Sequence, residues 1–370
     1  MSGLPGRDAV CNRYRNPRAC KPFRSNNSGA VFFCLMRDIS RLRLEIFIRS
    51  DTYASCKLAE TDLESHSTEM FGPDIVVRTS STPNVLSGVF KKKFGIEYYW
   101  QYNSRSDHHS KVCCWSVLFD LYRNCPLMQA HAASGKIGAS VNHEMTDFHK
   151  NKAKNLDLVV SRFVAPAGAL GRSRGGAKTA TDFVCLGARH AIPLTAAEKI
   201  ELAKLPKLPI SGVSNVLIAV EAKAAMTAHQ RAVPRLHDEL TSSHTTVHGD
   251  TNSAIAAALV MINAAVEYIS PESNEGTDPS KGPMNVSRHK QPKDAQLVLD
   301  SLRELRSRSN TDEDGFDAIG ALVVDCRNDG ITPTTLVSAV PPAPGPAHIH
   351  DYGRFINRMA QLYSTRFANL

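Results

Sequence analysis

The most constraining feature of this sequence is an uninterrupted apolar run at 216–220 that ends in two charged residues, Glu221 and Lys223. Consecutive aliphatic residues without a polar alternate predict a β-strand that is buried on both faces. Because side chains alternate along a strand, Glu221 and Lys223 are expected on the same face, at the polar end of the strand. A carboxylate and an ammonium group in such a place are costly unless they pair or hold a metal ion.

A second apolar segment, 155–160, contains Asp157 as its only charged residue. This segment also predicts a strand. Two strands that each bring an acidic residue to one edge of a sheet indicate a site for a divalent metal ion. A simple ion pair between Glu221 and Lys223 at the strand end is the alternative.

Asp157, followed later in the chain by Glu221-x-Lys223, resembles the core of the PD-(D/E)xK nucleases, and type II restriction endonucleases most of all. In that family the aspartate lies on one strand of a hairpin-like pair and the E-x-K triplet lies on the next. Leu156 stands where many members have proline. Glu144 matches an additional acid that many members carry on a preceding helix.

The resemblance implies an α/β fold with a central mixed β-sheet flanked by helices. It also implies that Asp157 and Glu221 bind Mg2+, for which Mn2+ is expected to substitute, and that Lys223 orients or helps to deprotonate the attacking water. Glu144, the fourth catalytic candidate, would bind a second metal ion or a metal-bound water. The implied activity is sequence-specific hydrolysis of double-stranded DNA that leaves a 5′-phosphate, and symmetric cleavage by two active sites favours a homodimer.

Two other functions fit the same residues. A nuclease of this fold in repair or recombination would cut without a short recognition sequence. A non-catalytic basic DNA-binding protein would bind DNA with a steep salt dependence and show no Mg2+-dependent product.

The net charge of +8 permits nucleic-acid binding, and the distribution of basic residues supports it. A loop at 165–178 is rich in glycine and arginine, and a helix with a kink at Pro234 is predicted after the E-x-K triplet. The predicted DNA contacts in these two segments are Arg172, Arg174, Lys178, Thr227, His229, Arg231 and Arg235. Solvated surface charge is the alternative for both segments.

Several other classes of protein and site are not expected. The loop has Ala177 where a phosphate-binding Walker A loop needs lysine, so no nucleotide cofactor is predicted. No apolar run approaches the roughly 20 residues that cross a bilayer, and no secretory signal is visible, so no membrane partner is expected. Nine cysteines without regular spacing indicate reduced thiols and a cytoplasmic location. The histidines at 237–248 lack the spacing of His-Glu-x-x-His, so no zinc site is predicted.

The order of patterns along the chain predicts a basic N-terminal extension at 1–69 and a nuclease domain at 70–370, with a catalytic core at about 110–330. Whether 1–69 folds with the rest is left open. Helices are predicted at 107–124, from a capping box at 195–198, in part of 127–149, and at 351–367. Further strands are predicted at 74–78, 183–186 and 318–325, and a loop at 241–252. A buried element is predicted at 254–265, either strand or helix, and its apolar run at 258–262 favours a strand. Alternating strands and helices predict a mixed sheet.

Overall fold

The structure is a computed structural model, which describes residues 69–93, 96–147, 152–164, 180–210, 212–275, 277 and 282–370. All of these residues lie in the second of the two units into which the chain divides, Ser65–Leu370. The predicted N-terminal extension, apart from Glu69, lies outside the described residues.

Helices and strands alternate along the described part of the chain. They are α1 (Gly72–Thr79), β1 (Val89–Lys93), β2 (Ile96–Tyr99), α2 (His108–Asn124), α3 (Pro126–Ala133), β3 (Ile137–Asp147), β4 (Lys152–Val164), α4 (Phe183–Arg189), α5 (Ala196–Lys204), β5 (Gly212–Ala225), α6 (His229–Asp250), β6 (Ile255–Asn263), β7 (Glu267–Tyr268), β8 (Ser287–Arg288), α7 (Lys293–Ser301), β9 (Ala318–Asp325), β10 (Thr335–Leu336) and α8 (Tyr352–Arg366).

The main sheet has six strands in the order β10-β9-β6-β5-β4-β3. Strands β3, β4 and β5 are antiparallel, β5, β6 and β9 are parallel, and β10 is antiparallel to β9. The sheet therefore changes from antiparallel to parallel pairing at β5. The predicted fold, an α/β protein with a central mixed β-sheet flanked by helices, is confirmed.

One face of the sheet is covered by α1, α2 and α8. Trp115, Phe119 and Phe355 from these helices belong to the same buried cluster as Leu158 and Val220 of the sheet. Leu158 and Val220 are direct partners across β4 and β5, so neighbouring strands present their side chains to one core.

The opposite face is covered by α6 and α7. Leu236, Leu240 and Val298 from these helices cluster with Val159 and Ala219, which are the next pair of partners across β4 and β5. Because alternate residues of β4 and β5 enter different cores, both strands are buried on both faces, as the apolar runs predicted.

The strongest local patterns match the observed elements. The predicted helices at 107–124 and 351–367 are α2 and α8, and the predicted strands at 254–265 and 318–325 contain β6 and β9. The capping box at the start of α5 is present: Glu198 N–H donates to Thr195 Oγ1 at 3.2 Å, and Thr195 N–H donates to Glu198 Oε2 at 2.6 Å.

Two short segments predicted as strands are helices instead. Residues 74–78 lie in α1, whose first N–H groups donate to the buried carboxylate of Asp120. Residues 183–186 lie in α4, where the Asp182 side chain caps the helix by accepting from Cys185 N–H at 2.8 Å. Short apolar runs do not distinguish helix from strand, and both helices depend on a carboxylate at the N-terminus.

The polar segment 241–252, predicted as a loop, is helical to Asp250 and forms the last turns of α6. Thr245 and Thr246 donate their hydroxyl protons to carbonyls one turn earlier, and Val247 is buried against the sheet. The loop prediction is therefore wrong, because these hydroxyl groups find hydrogen-bond acceptors in the backbone of the same helix. Within the described residues, no helix is both long and apolar enough to span a membrane.

A buried carboxylate, Asp317, joins several elements at the start of β9. Its Oδ1 accepts from Arg308 Nε at 3.0 Å and from Arg366 Nη2 at 2.5 Å, and its Oδ2 accepts from Ala256 N–H at 2.9 Å. The side chains of Asp317 and Arg308 are fully buried. This network therefore links β6, β9 and α8 through charges that need one another.

Replacing Asp317 with Asn should destabilise the fold strongly, because the buried charge of Arg308 loses its partner. We expect the free energy of unfolding at pH 7 to fall by about 3–5 kcal/mol, measured by urea denaturation. Asp325→Asn, at the exposed end of β9, is the control and should change it by less than about 0.5 kcal/mol.

The same substitution should also change the acid sensitivity. Burial would raise the pKa of Asp317, but hydrogen bonds from Arg366 and Arg308 outweigh burial and hold the pKa below its ordinary value. The ionised carboxylate therefore stabilises the fold above the unfolded-state pKa, and this stability is lost as the pH falls through the lower folded-state pKa. The difference between wild type and Asp317→Asn should shrink in acid; equal losses for the Asn variants of Asp317 and Asp325 would contradict this account.

Candidate functional site

The structure brings Asp157 and the E-x-K triplet together on adjacent strands. Asp157 lies on β4 and the triplet on β5, and the antiparallel ladder between these strands reaches Leu158 and Val220. Just beyond this pair, the backbone N–H of Ala222 on β5 donates to Asp157 Oδ2 at 3.0 Å. The acid is therefore held directly against the backbone of the triplet.

Asp157 lies beside a local distortion of β3. Backbone pairing between β3 and β4 is regular on both sides, but Asn142 has a left-handed φ of 51°. Asparagine tolerates this conformation better than most residues. Its side-chain oxygen accepts a hydrogen bond from Lys111 Nζ on α2, and the same ammonium group lies 3.3 Å from Asp157 Oδ1. The distortion thus joins Asp157 to a buried lysine.

Glu221 is only 2% exposed, and its two oxygens differ. Oε1 lies 2.5 Å from Lys223 Nζ and 3.9 Å from Lys154 Nζ, whereas Oε2 is buried and has no hydrogen-bond partner within the part of the chain that the structure describes. Burial raises the pKa of Glu221, and the charge of Asp157 raises it further against the opposing effect of the two lysines. The strand-end ion pair is present, and one oxygen remains that a metal ion could use.

Lys223 is placed to stabilise negative charge. Burial would lower the pKa of Lys223, but Glu221 outweighs burial and the pKa lies above its ordinary value. The ammonium also lies 3.8 Å from Glu239 Oε2 on α6. A lysine with a raised pKa stays protonated at neutral pH, so it suits charge stabilisation and orientation of a water better than proton abstraction.

A cleft of about 340 Å³ opens at this end of the sheet. Asp157 and Lys223 line it from the strands, and Arg235 and Glu239 line it from α6. The facing wall includes the segment 104–107 before α2. The lining is charged and polar, which suits a phosphodiester better than an apolar ligand.

The predicted DNA contacts have different positions. Arg231 and Arg235 are exposed near the start of α6, and with Thr227 they line a smaller adjoining pocket of about 170 Å³. His229 is buried, and its Nε2–H donates to the carbonyl of Asn263 at 2.8 Å. His229 therefore anchors α6 to the sheet, and its contact with DNA stays a prediction. Another group of predicted contacts lies outside the described residues: Arg172, Arg174 and Lys178.

Glu144 does not lie on a helix. It is exposed on β3, directly opposite Asn155 of β4, and it does not line the cleft. The helix predicted in part of 127–149 corresponds to α3. After Gly135 the chain turns with a positive φ of 69° and β3 begins, so the rest of the segment is not helical. A role for Glu144 in metal binding stays a prediction.

Two lysines of the site were not identified from the sequence. Lys111 is 3% exposed, and it lies on α2, most of whose residues are buried. Lys154 donates to the Glu239 carbonyl at 2.6 Å and to Ser243 Oγ at 2.5 Å, which ties β4 to α6. Lys111 precedes Cys114, Trp115 and Leu118 by three, four and seven residues, which places the four side chains on one face of a helix. This spacing could have identified Lys111, because a lysine on a buried face needs a partner.

The environment of Glu221 can be tested by titration of its carboxyl carbon with NMR. In Lys223→Met, the pKa of Glu221 should rise further above its ordinary value, because the strongest opposing charge is removed. The matched control is Lys204→Met, which removes an equally short ion pair, Lys204 Nζ to Glu201 Oε1 at 2.5 Å, on the surface. It should raise the pKa of Glu201 and leave Glu221 unchanged. A wild-type Glu221 that titrates at or below the ordinary value would contradict the buried geometry.

The chain was compared with protein families, curated proteins and solved structures. No family model, curated protein or solved structure matches it. The likeness of Asp157, Glu221 and Lys223 to a nuclease motif therefore rests on these residues and on their arrangement at the end of β5.

Proposed function

We propose that this chain is a Mg2+-dependent nuclease that hydrolyses phosphodiester bonds of double-stranded DNA. The observation that carries the proposal is that Asp157 and Lys223 line one polar cleft, with Glu221 buried beside Lys223. Among the described residues, one carboxylate oxygen of Glu221 has no hydrogen-bond partner. Sequence-specific cleavage of the restriction type, by a homodimer that leaves a 5′-phosphate, is the form of this activity that we favour. A cytoplasmic location and Mn2+ as a substitute metal ion belong to the same proposal.

The donor set fits the metal ion. Asp157 and Glu221 offer carboxylate oxygens, which are the ligands that Mg2+ prefers. When bound, the ion polarises a phosphoryl oxygen and lowers the pKa of a coordinated water. Binding requires Lys111 and Lys223 to give up part of their contacts with the two carboxylates.

The side chains of the cleft supply the remaining functions. Lys223, protonated and 25% exposed, would stabilise the charge that develops on the phosphate and orient the attacking water. Arg231 and Arg235 would bind the flanking phosphates of the DNA strand from α6. Lys154 positions Glu221 from the buried side and does not reach the cleft lining.

A second function is favoured by the balance of charges. Lys111, Lys154 and Lys223 surround the two carboxylates, so the positive charges balance the acids without a metal ion. Such a site would serve a non-catalytic DNA-binding protein. A repair or recombination nuclease would use the same metal-binding residues and differ in the DNA it selects.

The proposed activity is tested with long duplex DNA in Mg2+ or in EDTA. Lys223→Ala should reduce the rate of cleavage by about 100-fold or more, because it removes a charge that faces the transition state. Lys204→Ala, which removes the matched surface ion pair, should cleave at the wild-type rate. Discrete Mg2+-dependent fragments would support restriction-type cleavage, and a smear would support a non-specific nuclease of this kind.

Two results would count against a nuclease. One is DNA of many sequences that stays intact in both Mg2+ and Mn2+, which would favour the non-catalytic alternative. The other is cleavage that persists unchanged in Lys223→Ala, which would move the chemistry away from β5.

The role of α6 in DNA binding is tested by salt dependence. Arg235→Ala should reduce the slope of log K against log salt by about 0.9, the value for one lost phosphate contact. Arg354→Ala is the control, because Arg354 is exposed on α8, which covers the face of the sheet opposite to α6. Equal slopes for wild type and Arg235→Ala in EDTA would place the DNA elsewhere.

A further inference from the structure

A second group of metal-ligating side chains lies at the other end of α6. His244 and His248 are four residues apart, so they share one face of the helix. That face meets the segment before β9, which carries Asp314. One ligand atom from each of these three residues lies within 4.8 Å of the others, and His244 Nδ1 is 3.5 Å from Asp314 Oδ1.

His248 shows why this group differs from an ordinary surface cluster. Its side chain is only 6% exposed, and neither ring nitrogen has a hydrogen-bond partner among the described residues. The nearest carboxylate oxygen, Oδ2 of Asp317, is 4.0 Å from Nε2 and already accepts from Arg308. A buried nitrogen without a partner costs free energy, which a bound ligand would recover.

We infer that His244, His248 and Asp314 bind one Zn2+ ion, with the fourth coordination position open to water. Two imidazoles and one carboxylate are a donor set that Zn2+ accepts, whereas Mg2+ prefers oxygen ligands and keeps several waters. This site is therefore distinct in chemistry from the proposed Mg2+ site at the end of β5.

The geometry is close to what Zn2+ requires. Bonds of about 2.0–2.2 Å in a tetrahedral arrangement place ligand atoms roughly 3.4 Å apart. The 3.5 Å separation of His244 Nδ1 and Asp314 Oδ1 already meets this, and the remaining atoms need a small approach. Asp314 is half-exposed and can supply that movement, while Phe316 packs edge-on against the His244 ring and holds it.

The neighbouring charges are arranged around the site. Arg306 Nη1 lies 3.7 Å from Asp314 Oδ2 and leaves Oδ1 facing the histidines. Arg308, a buried cation of the neighbouring network, donates two hydrogen bonds to Asp317, a carboxylate that it shares with Arg366.

The bound ion would tie the C-terminal half of α6 to the segment before β9. The N-terminal half of the same helix carries Arg235 and Glu239 of the cleft. Bound Zn2+ would thus help to hold in place a helix that lines the proposed active site.

Calorimetric titration of metal-free wild type with Zn2+ tests the site, with Mg2+ titrated in parallel. We expect one Zn2+ per chain, a rise in Tm on binding, and no competition by Mg2+. Asp314→Asn should weaken Zn2+ binding by at least about tenfold, because it removes a ligand charge. Asp312→Asn, which changes another exposed acid in the same segment, should bind Zn2+ like wild type. Because Asp314 is on the surface, metal-free Asp314→Asn should keep the Tm of metal-free wild type.

Two results would overturn the inference. Wild type that takes up no Zn2+ at micromolar concentrations would remove the site. Zn2+ bound equally by wild type and Asp314→Asn would place the ion on other residues, such as the cysteines. Neither result depends on DNA cleavage, so failure here and failure of the nuclease proposal are separate outcomes.

Discussion

Strand β5 is hydrogen-bonded along both edges, antiparallel to β4 and parallel to β6, and the remaining structure depends on this pairing. Its aliphatic side chains alternate between the two cores. A shift of the strand by one residue would therefore move each side chain to the opposite face of the sheet. The ladder to β4 ends at Leu158 and Val220. Beyond that point Asp157, Glu221 and Lys223 follow at the border between the buried sheet and the cleft. The burial that stabilises β5 thus determines where these charges lie.

The charges at this border constrain one another. A buried carboxylate is costly to ionise, and the raised pKa of Glu221 reports that cost. Lys111, Lys154 and Lys223 reduce it by direct contact with Asp157 or Glu221. In the proposed reaction a metal ion and a phosphate would arrive with opposite charges, so Lys223, which lines the cleft, could turn from Glu221 toward the phosphate with little change in the total charge of the site. The same contacts explain how the fold is stable before any ligand binds.

The sequence predicted the parts of the fold that long or strongly patterned segments determine. The apolar run of β5 predicted a buried strand with a polar end, and the spacing of apolar residues in α2 predicted that helix. Features set by distant partners were not predicted. The helix α1 depends on Asp120, the buried Lys111 depends on Asn142 and Asp157, and the polar end of α6 is helical because it packs on the sheet. His244 and His248 were set aside because they lack the spacing of a zinc motif, and Asp314, which lies beside them in the structure, is far away in the chain.

The most direct test of the central claim is the anomalous scattering of Mn2+ in crystals soaked with that ion. The account predicts an anomalous peak between the carboxylates of Asp157 and Glu221, with Lys111 Nζ moved away from Asp157 Oδ1. Crystals that show no peak there, with the Asp157–Lys111 and Glu221–Lys223 contacts unchanged, would contradict it. In that case the end of β5 would be a structural ion-pair network, and the cleft would have to act without a metal ion on these residues.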